Sequence, residues 1–371
     1  MNVLFDHQVF SFQEYGGISR YYSTLLKIFS QNTIVQPDLI IKYSNNSYLQ
    51  EVGNYNQKTF FRNHRFKGRN EIIRLLNQLY FRKEYTKRTS PDIFHPTYYH
   101  QYFLREIGNI PFVLTIYDMS HEIYPDSFHQ FDFTIKNKKA LALKATRIIA
   151  ISENTKRDIV KILGVAESII DVIPLSGNII LDPFYVSPFS IPEKFILYVG
   201  TRNTYKNFLF FIRSLKNILR DSNDLFVICA GGRSFSLQEQ KEIEQLGLTK
   251  RIYQMDVDDK LLALLYSKTK AFVYPSLYEG FGITVVEAFM CGAPVVLSNK
   301  SSLPEVGANA AFYFNPENKE NFESVVRNVI QNPNVAKEMV LKGFERAKMF
   351  SWNNTAEKTI ETYKKVLNRK P

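Results

Sequence analysis

Glu279 and Glu287 stand eight residues apart on either side of Gly280-Phe281-Gly282. Acids and glycines at that spacing suit the grip of a phosphorylated polyol. The apolar run Lys270–Pro275 has strand length, the two glycines punctuate the segment after it, and a new strand is expected after Gly292 and Pro294. Between Gly280 and Gly282 the backbone can turn tightly and come close to a ligand. A helix beginning near Gly282 turns its unpaired N–H groups and positive dipole end toward that loop, a ready site for an anion such as phosphate. Ile283 opens this helix, and Glu287 lies one turn, roughly 6 Å, beyond it on the same face. That reach suits a carboxylate holding a hydroxyl beside the phosphate, as a ribose presents. Glu279, ahead of the turn, is placed to accept from a second polyol. Two exposed glutamates is the plain alternative. Val285, Val286, Ala288 and Phe289 count against it, because an acid in so apolar a helix is costly to bury without a partner.

The segment resembles the signature of retaining glycosyltransferases of family four, in which Glu-x(7)-Glu marks the nucleotide-sugar site. The match runs through Gly280-Phe281-Gly282, Glu287-Ala288 and Gly292-Ala293-Pro294-Val295, and continues in Ser302-Leu303-Pro304-Glu305-Val306. The resemblance implies an α/β protein with the GT-B fold, two facing, doubly wound Rossmann-like domains with a cleft between them. Residues 1–185 would bind the acceptor and residues 186–351 the nucleotide-sugar. A C-terminal helix of about residues 352–371 would pack back on the first domain, its Trp352 matching the family.

The same resemblance assigns roles. Gly200-Thr201-Arg202-Asn203-Thr204-Tyr205-Lys206-Asn207 is similar to the family's basic diphosphate turn, with Arg202 as a fork and Lys206 as a point charge on a pyrophosphate. Gly17, in the glycine turn Tyr15–Arg20 that opens a helix running to about Ser30, would lie close to the donor phosphates; read alone, Gly16-Gly17 is equally a tight turn. Donor binding thus falls to Gly17, Gly200, Gly280, Phe281, Gly282, Ile283 and Glu287, and catalysis to Glu279, Arg202, Lys206, His121 and Asp118. His121 and Asp118 follow the strand Phe112–Asp118 and would grip sugar hydroxyls or brace their own loop. Many relatives carry a histidine directly before this aspartate, where this chain has Tyr117. No cofactor and no metal are expected. Asp256-Val257-Asp258-Asp259 is similar to the acidic metal motif of another glycosyltransferase fold, but is expected to cap a helix over Lys260–Ser267.

Tyr205-Lys206-Asn207 and Tyr117-Asp118-Met119 look like bacterial transferases that build O-antigen and other surface polysaccharides, many using GDP-mannose. UDP sugars stay open, and the acceptor would be a glycan or a polyprenyl-linked glycan. Membership implies retention of anomeric configuration. A sugar-nucleotide epimerase or hydrolase would share the donor site, and a phosphorylase of related fold would need a pyridoxal lysine.

The elements that must position these residues alternate along the chain. Val3–Phe5, Asp92–Pro96, Phe112–Asp118, Arg147–Ile151 and Ile169–Leu175 read as strands of a first domain. Phe195–Val199, Asp224–Ala230 and Lys270–Tyr274 read as strands of a second, after the proline-rich stretch 182–192. Ser152 is a natural N-cap. No two of the six histidines, all within the first 130 residues, stand at metal-pair i, i+4 spacing, and Cys229 and Cys291 read as core thiols.

No apolar run approaches the roughly 20 residues that span a bilayer, and the N-terminus enters a strand without the pattern of a secretion signal. A cytoplasmic protein, peripheral on the inner face of the membrane, is expected. The net charge of +11 is spread over both halves, which argues against a nucleic-acid tail. Residues 58–88 stand apart, with ten Lys or Arg against two Glu. Phe60, Phe61, Phe66, Tyr80, Phe81 and Tyr85 interleave with those cations, and Ile72, Leu75, Leu76 and Leu79 fall at helical spacing. The stretch reads either as a surface helix with a solvated basic side or as a dock for an anionic membrane surface.

Overall fold

The computed structural model describes residues 1–53, 55, 57–62, 64, 66–129 and 132–368, and the chain divides into two compact units. The first holds Met1–Glu122, Phe128–Leu175 and the chain from Trp352 onward; the second holds Ile123–Ser127 and Ser176–Ser351. The boundary expected at 185/186 lies earlier, between Leu175 and Ser176. Packing explains the shift. Ser176 Oγ donates to Phe350 O (3.1 Å), and a Cβ on Gly177 would stand 2.9 Å from Glu287 Cγ, so the chain is already seated in the second unit here.

In the first unit β1 (Asn2–Asp6) lies between β2 (Gln36–Ile40) and β3 (Ile93–His95), all parallel. A bridge between Phe94 and Phe112 joins this group to the parallel run of β4 (Val113–Ile116), β5 (Arg147–Ala150) and β6 (Ile170–Val172). Val3, Leu4 and Phe5 are all buried, the mark of a strand covered on both faces. The helix Trp352–Leu367 belongs to this unit, with Tyr363 OH 2.6 Å from His95 Nδ1; positions 369–371 of the expected tail lie outside the described residues.

The helix Arg69–Tyr85 turns differently from the stripe in its sequence. Its buried residues are Arg69, Ile73, Asn77 and Phe81, while Ile72, Leu75 and Leu79 are 41%, 55% and 53% exposed. Asn77 fixes that rotation. Its Oδ1 accepts from the amides of Lys42 (3.0 Å) and Tyr43 (2.8 Å), and its Nδ2 donates to Ser11 Oγ (3.0 Å) and Tyr43 O (2.7 Å). A buried amide with every bond made outweighs the pull of three leucine-type side chains toward the core.

The second unit is a six-stranded parallel sheet. In spatial order it runs β12 (Phe312–Phe314), β11 (Val295–Ser298), β10 (Ala271–Tyr274), β7 (Lys194–Val199), β8 (Leu225–Ala230) and β9 (Ile252–Met255). The helix Phe208–Arg220 buries Phe208, Phe211, Ile212, Leu215, Ile218 and Leu219, one continuous stripe, against this sheet's core. Asp258 caps the helix Asp259–Lys268 by accepting from Leu261 N (2.8 Å), the role expected of that acidic stretch. The chain winds outward from β7 to β8 and β9, then returns to start again at β10. Such a reversal opens a crevice at the carboxyl ends of β7 and β10, where open α/β sheets take their ligands.

Candidate active site

Both chemistry-bearing turns end at that crevice. β7 runs into Gly200 and on to Lys206, and β10 runs into Pro275–Gly282. The turns are stitched together, Leu277 N donating to Tyr205 O (2.7 Å). Lys206 Nζ sits 2.7 and 2.9 Å from the two oxygens of Glu279, with side chains only 15% and 10% exposed. Burial alone would pull the ammonium down. Glu279, then Tyr274 and Tyr205, outweigh it and hold Lys206 well above the ordinary lysine range, so it is a fixed cation.

Three serines to which the sequence reading gave no role, Ser302 among them only as part of the family match, set the Glu279 loop. Ser301, at a left-handed φ of 58°, donates from Oγ to Glu279 O (2.5 Å) and accepts from Glu279 N (3.1 Å). Ser302 Oγ lies 2.9 Å from the carbonyls of both Glu279 and Phe281, and Ser298 Oγ donates to Ser276 O (2.5 Å). Small hydroxyls following a strand are the only signal in the sequence, and they are common enough to be overlooked. Tyr124 stacks on Tyr205 (5.5 Å, 28°), so an aromatic wall flanks the Lys206 turn.

Gly282 is the N-cap of the helix Ile283–Met290, at φ 98°, where a Cβ would come 3.1 Å from Leu303; glycine is required on both counts. Phe281 is buried edge-on against Phe350 (5.6 Å, 82°) and anchors the turn. Glu287 is 6% exposed inside that helix, and Ile283 is half-buried at its start.

Arg202 is bonded within its own unit. Its Nε bonds Glu239 (2.8 Å), and the rest of its fork donates to the carbonyls of Gly231, Gly232, Arg233 and Ser234 (2.8–3.2 Å). With its side chain 4% exposed between Phe208 and Phe235, this guanidinium is committed to its own loop.

Asp118, His121 and Gly17 all belong to the first unit. Asp118 Oδ1 accepts from Ser120 N (2.9 Å) and Oγ (2.6 Å), a loop-bracing arrangement. Burial raises its pKa, but Lys138 and the Ser120 bonds hold it below the usual value. His121 stacks on Phe128 (3.7 Å, 19°) with Nε2 3.2 Å from Asp132. Its buried Nδ1 has no partner among the described residues, and burial, then Lys138, lower its pKa. Gly17 opens the helix Gly17–Ser30, and a Cβ there would meet nothing within 4 Å.

The first unit also holds a cavity of about 260 Å³ at the carboxyl ends of β1 and β3, lined by His7, Arg74, Tyr98, His100 and Asp132 among others. Its floor is organised by Asp6, which accepts from Thr97 N (2.9 Å), Gln8 Nε2 (2.7 Å) and Tyr102 OH (3.1 Å). Ser11 Oγ gives its hydrogen to His7 O (2.9 Å), so its contact with His7 Nδ1 (2.9 Å) makes that nitrogen the donor. His7 Nε2 is then a bare acceptor, with no partner among the described residues.

Residues 186–346 match the family model of group 1 glycosyl transferases, and residues 15–176 match that of Glycosyltransferase Family 4. Both models are of glycosyltransferases, and together they take in most of the chain. Among its relatives, the chain is 32% identical over 224 residues to the O-antigen chain mannosyltransferase RfbU of Salmonella typhimurium, covering 59% of this chain and 61% of that one. It is 31% identical over 175 residues to the O-antigen chain mannosyltransferase B of Escherichia coli, covering 46% of each. The matched region thus spans between about half and three-fifths of these relatives. A sucrose-phosphate synthase from Thermosynechococcus elongatus superposes with a TM-score of 0.74 at 18% identity, over 99% of both chains. HepE of Anabaena, solved with UDP and glucose, superposes with 0.73 at 16% identity, over 98% of this chain and 99% of that one. At such identities the likeness carries the fold, which is GT-B.

Proposed function

We propose that this protein moves a hexose, with retention, from a nucleotide-sugar to a glycan or polyprenyl-linked acceptor in surface polysaccharide or O-antigen synthesis, with GDP-mannose the favoured donor. The single observation that carries the reading is the Lys206–Glu279 pair at the crevice of the second unit, beside the helix that opens at Gly282. In glycosyl transfer a nucleoside diphosphate must leave the anomeric carbon while charge builds on its oxygens. A fixed ammonium and the amides at a helix mouth stabilise that charge, the electrostatic contribution that is usually largest. Glu279 keeps Lys206 charged and aimed, and its remaining lone pairs suit a sugar hydroxyl. Glu287 clasps the ribose. The names of the O-antigen relatives favour mannose.

The acceptor is assigned to the first unit. Bare His7 Nε2, His100, Asp132 and the ring of Tyr98 give its cavity the mixture of acceptors and aromatic surface that hydroxylated rings need. Peripheral association with an anionic membrane belongs to the same reading, through the outward stripe on Arg69–Tyr85 with Phe61 and Phe66. Positions 63 and 65 of the 58–88 stretch lie outside the described residues.

A thermal-shift series with GDP, UDP and ADP tests the donor, since a ligand that binds only the folded state raises the unfolding temperature. GDP is expected to give the largest shift, and transfer from GDP-mannose is expected to survive EDTA. No shift with any nucleoside diphosphate overturns the reading.

A further inference from the structure

The cavity of the first unit is lined by two imidazoles of opposite polarity. His7 gives its Nδ1 hydrogen to Ser11 Oγ (2.9 Å), whose own hydrogen is spent on His7 O, and so keeps a lone pair at Nε2. His100 is set the other way. Its Nδ1 accepts from Tyr102 N (3.1 Å), which leaves the hydrogen of the neutral ring on Nε2. Gln8 pins the His100 backbone, accepting from its N (2.7 Å) and donating to its O (3.2 Å). Both rings lie against Tyr102, with centroids 5.2 Å and 5.8 Å from it.

Both histidines stay neutral at neutral pH. Burial takes the His7 pKa down to about 3 and lowers that of His100, and the Arg74 guanidinium opposes a positive charge on either. The charged groups lining the cavity are then Arg74 against Glu71 and Asp132, one cation to two carboxylates, in a chain whose net charge is +11. An anion could accept from His100 but would face the His7 lone pair and both carboxylates. A cation could donate to His7 but would face the His100 N–H. A hydroxyl donates and accepts, and satisfies both rings. His7 Nε2 is buried without a partner among the described residues, and a bare buried acceptor is costly until a donor reaches it.

We propose that this cavity takes an uncharged sugar ring of the acceptor, with hydroxyls donating to His7 Nε2 and accepting from His100 Nε2–H, and turns away sugars that carry a carboxylate or phosphate. His7 and His100 set the hydrogen-bond polarity, and Glu71 and Asp132 set the charge selection. The inference rests on the acceptor assignment above and narrows it to neutral sugars.

Calorimetric titration of the full chain tests it, with GDP saturating the donor site. The probes are methyl α-mannoside and its uronate, in which a carboxylate replaces the primary alcohol. The mannoside is expected to bind about tenfold more tightly than the uronate. His7→Phe keeps a ring but no acceptor, and is expected to weaken the mannoside about tenfold and raise the acceptor KM while GDP affinity and the donor KM hold. Asp132→Asn can still accept from Thr134 N (2.8 Å) and removes one charge. It is expected to improve the uronate about threefold without improving the mannoside. Equal binding of the two probes by the wild type, or an unchanged preference in Asp132→Asn, overturns the charge selection. Wild-type mannoside affinity in His7→Phe overturns the hydroxyl site. If the preference is absent yet His7→Phe weakens both probes, the acceptor assignment survives without it. If the wild type binds GDP but neither glycoside, the assignment and the inference fall together and the donor reading stands. Asp132 is exposed, so its variant is expected to fold even where His7→Phe does not.

Discussion

The two units share one architecture, parallel strands with their carboxyl ends as the working edge, yet they handle charge in opposite ways. The second contains no histidine and ties its site cations into buried pairs, Arg202 with Glu239 and Lys206 with Glu279. The first holds all six histidines and shows a run of cations to solvent between residues 58 and 88, Lys58, Arg62, Lys67, Arg74 and Lys83 among them, although it too buries Arg69, Lys138 and Arg147 beside acids. A committed cation fixes geometry, and an uncommitted one attracts a partner. Changes to the first kind should therefore cost stability or turnover, and changes to the second should cost only association.

Lys138 gives the hardest test. It is 1% exposed and its partner Glu122 4%, and it also donates to Asp118 O (2.9 Å). Lys138→Met leaves Glu122 buried without its cation, which costs about 3–5 kcal/mol. Urea denaturation checks it, and a change under about 1 kcal/mol would show that Glu122 finds water. Lys206→Ala comes next. Turnover is expected to fall by roughly 10²-fold in initial-rate assays, because an ammonium beside the leaving diphosphate has no substitute at Tyr274 or Tyr205. Near-normal turnover would contradict the site.

Acid separates the units without any mutation. Burial holds His7 and His95 neutral, with pKa values lowered to about 3 from 6.5. For a histidine shifted down, the unfolded chain binds more protons below pH 6.5, so the stabilisation is intact above that value and is lost as pH falls toward 3. At pH 5 each of the two costs on the order of 2 kcal/mol. The first unit should loosen between pH 6.5 and 4 while the second, lacking histidine, holds. Hydrogen exchange resolved by peptide reads this directly; simultaneous loosening of both units would show that the histidines are not the cause.

The sequence made the second unit more legible than the first. Where glycines and acids bracket a strand end, the local chemistry and the fold ask for the same residues, so Glu279 and Gly282 stand out by spacing, and Lys206 by the resemblance of its turn. The bonding of Arg202 could not be read, because its five bonds depend on a loop some thirty residues away. β2 went unread since Gln36–Ile40 opens with a polar residue and a proline and is buried only at its end. The helices Phe208–Arg220 and Arg69–Tyr85 both carry apolar residues at helical spacing, and only the first buries them. The difference is Asn77, whose four bonds reach Ser11, Lys42 and Tyr43, distant in sequence and invisible to periodicity.

That outward stripe supplies the smallest and most specific effect. Ile72, Leu75 and Leu79 are exposed beside Arg74, Arg82 and Lys83, an apolar strip fringed with positive charge. Each cation near an anionic surface contributes about 1 kcal/mol, lost as salt screens it. Lys67→Glu with Lys83→Glu should therefore weaken binding to phosphatidylglycerol vesicles at low salt. Leu75→Glu should weaken it too, but with a shallower salt dependence, because it removes insertion as well as adding charge. Neither change touches a buried contact, so stability should stay within about 0.5 kcal/mol of the wild type. If the charge reversals alter stability but leave vesicle binding intact, the uncommitted cations of the first unit are structural after all, and the contrast between the units disappears.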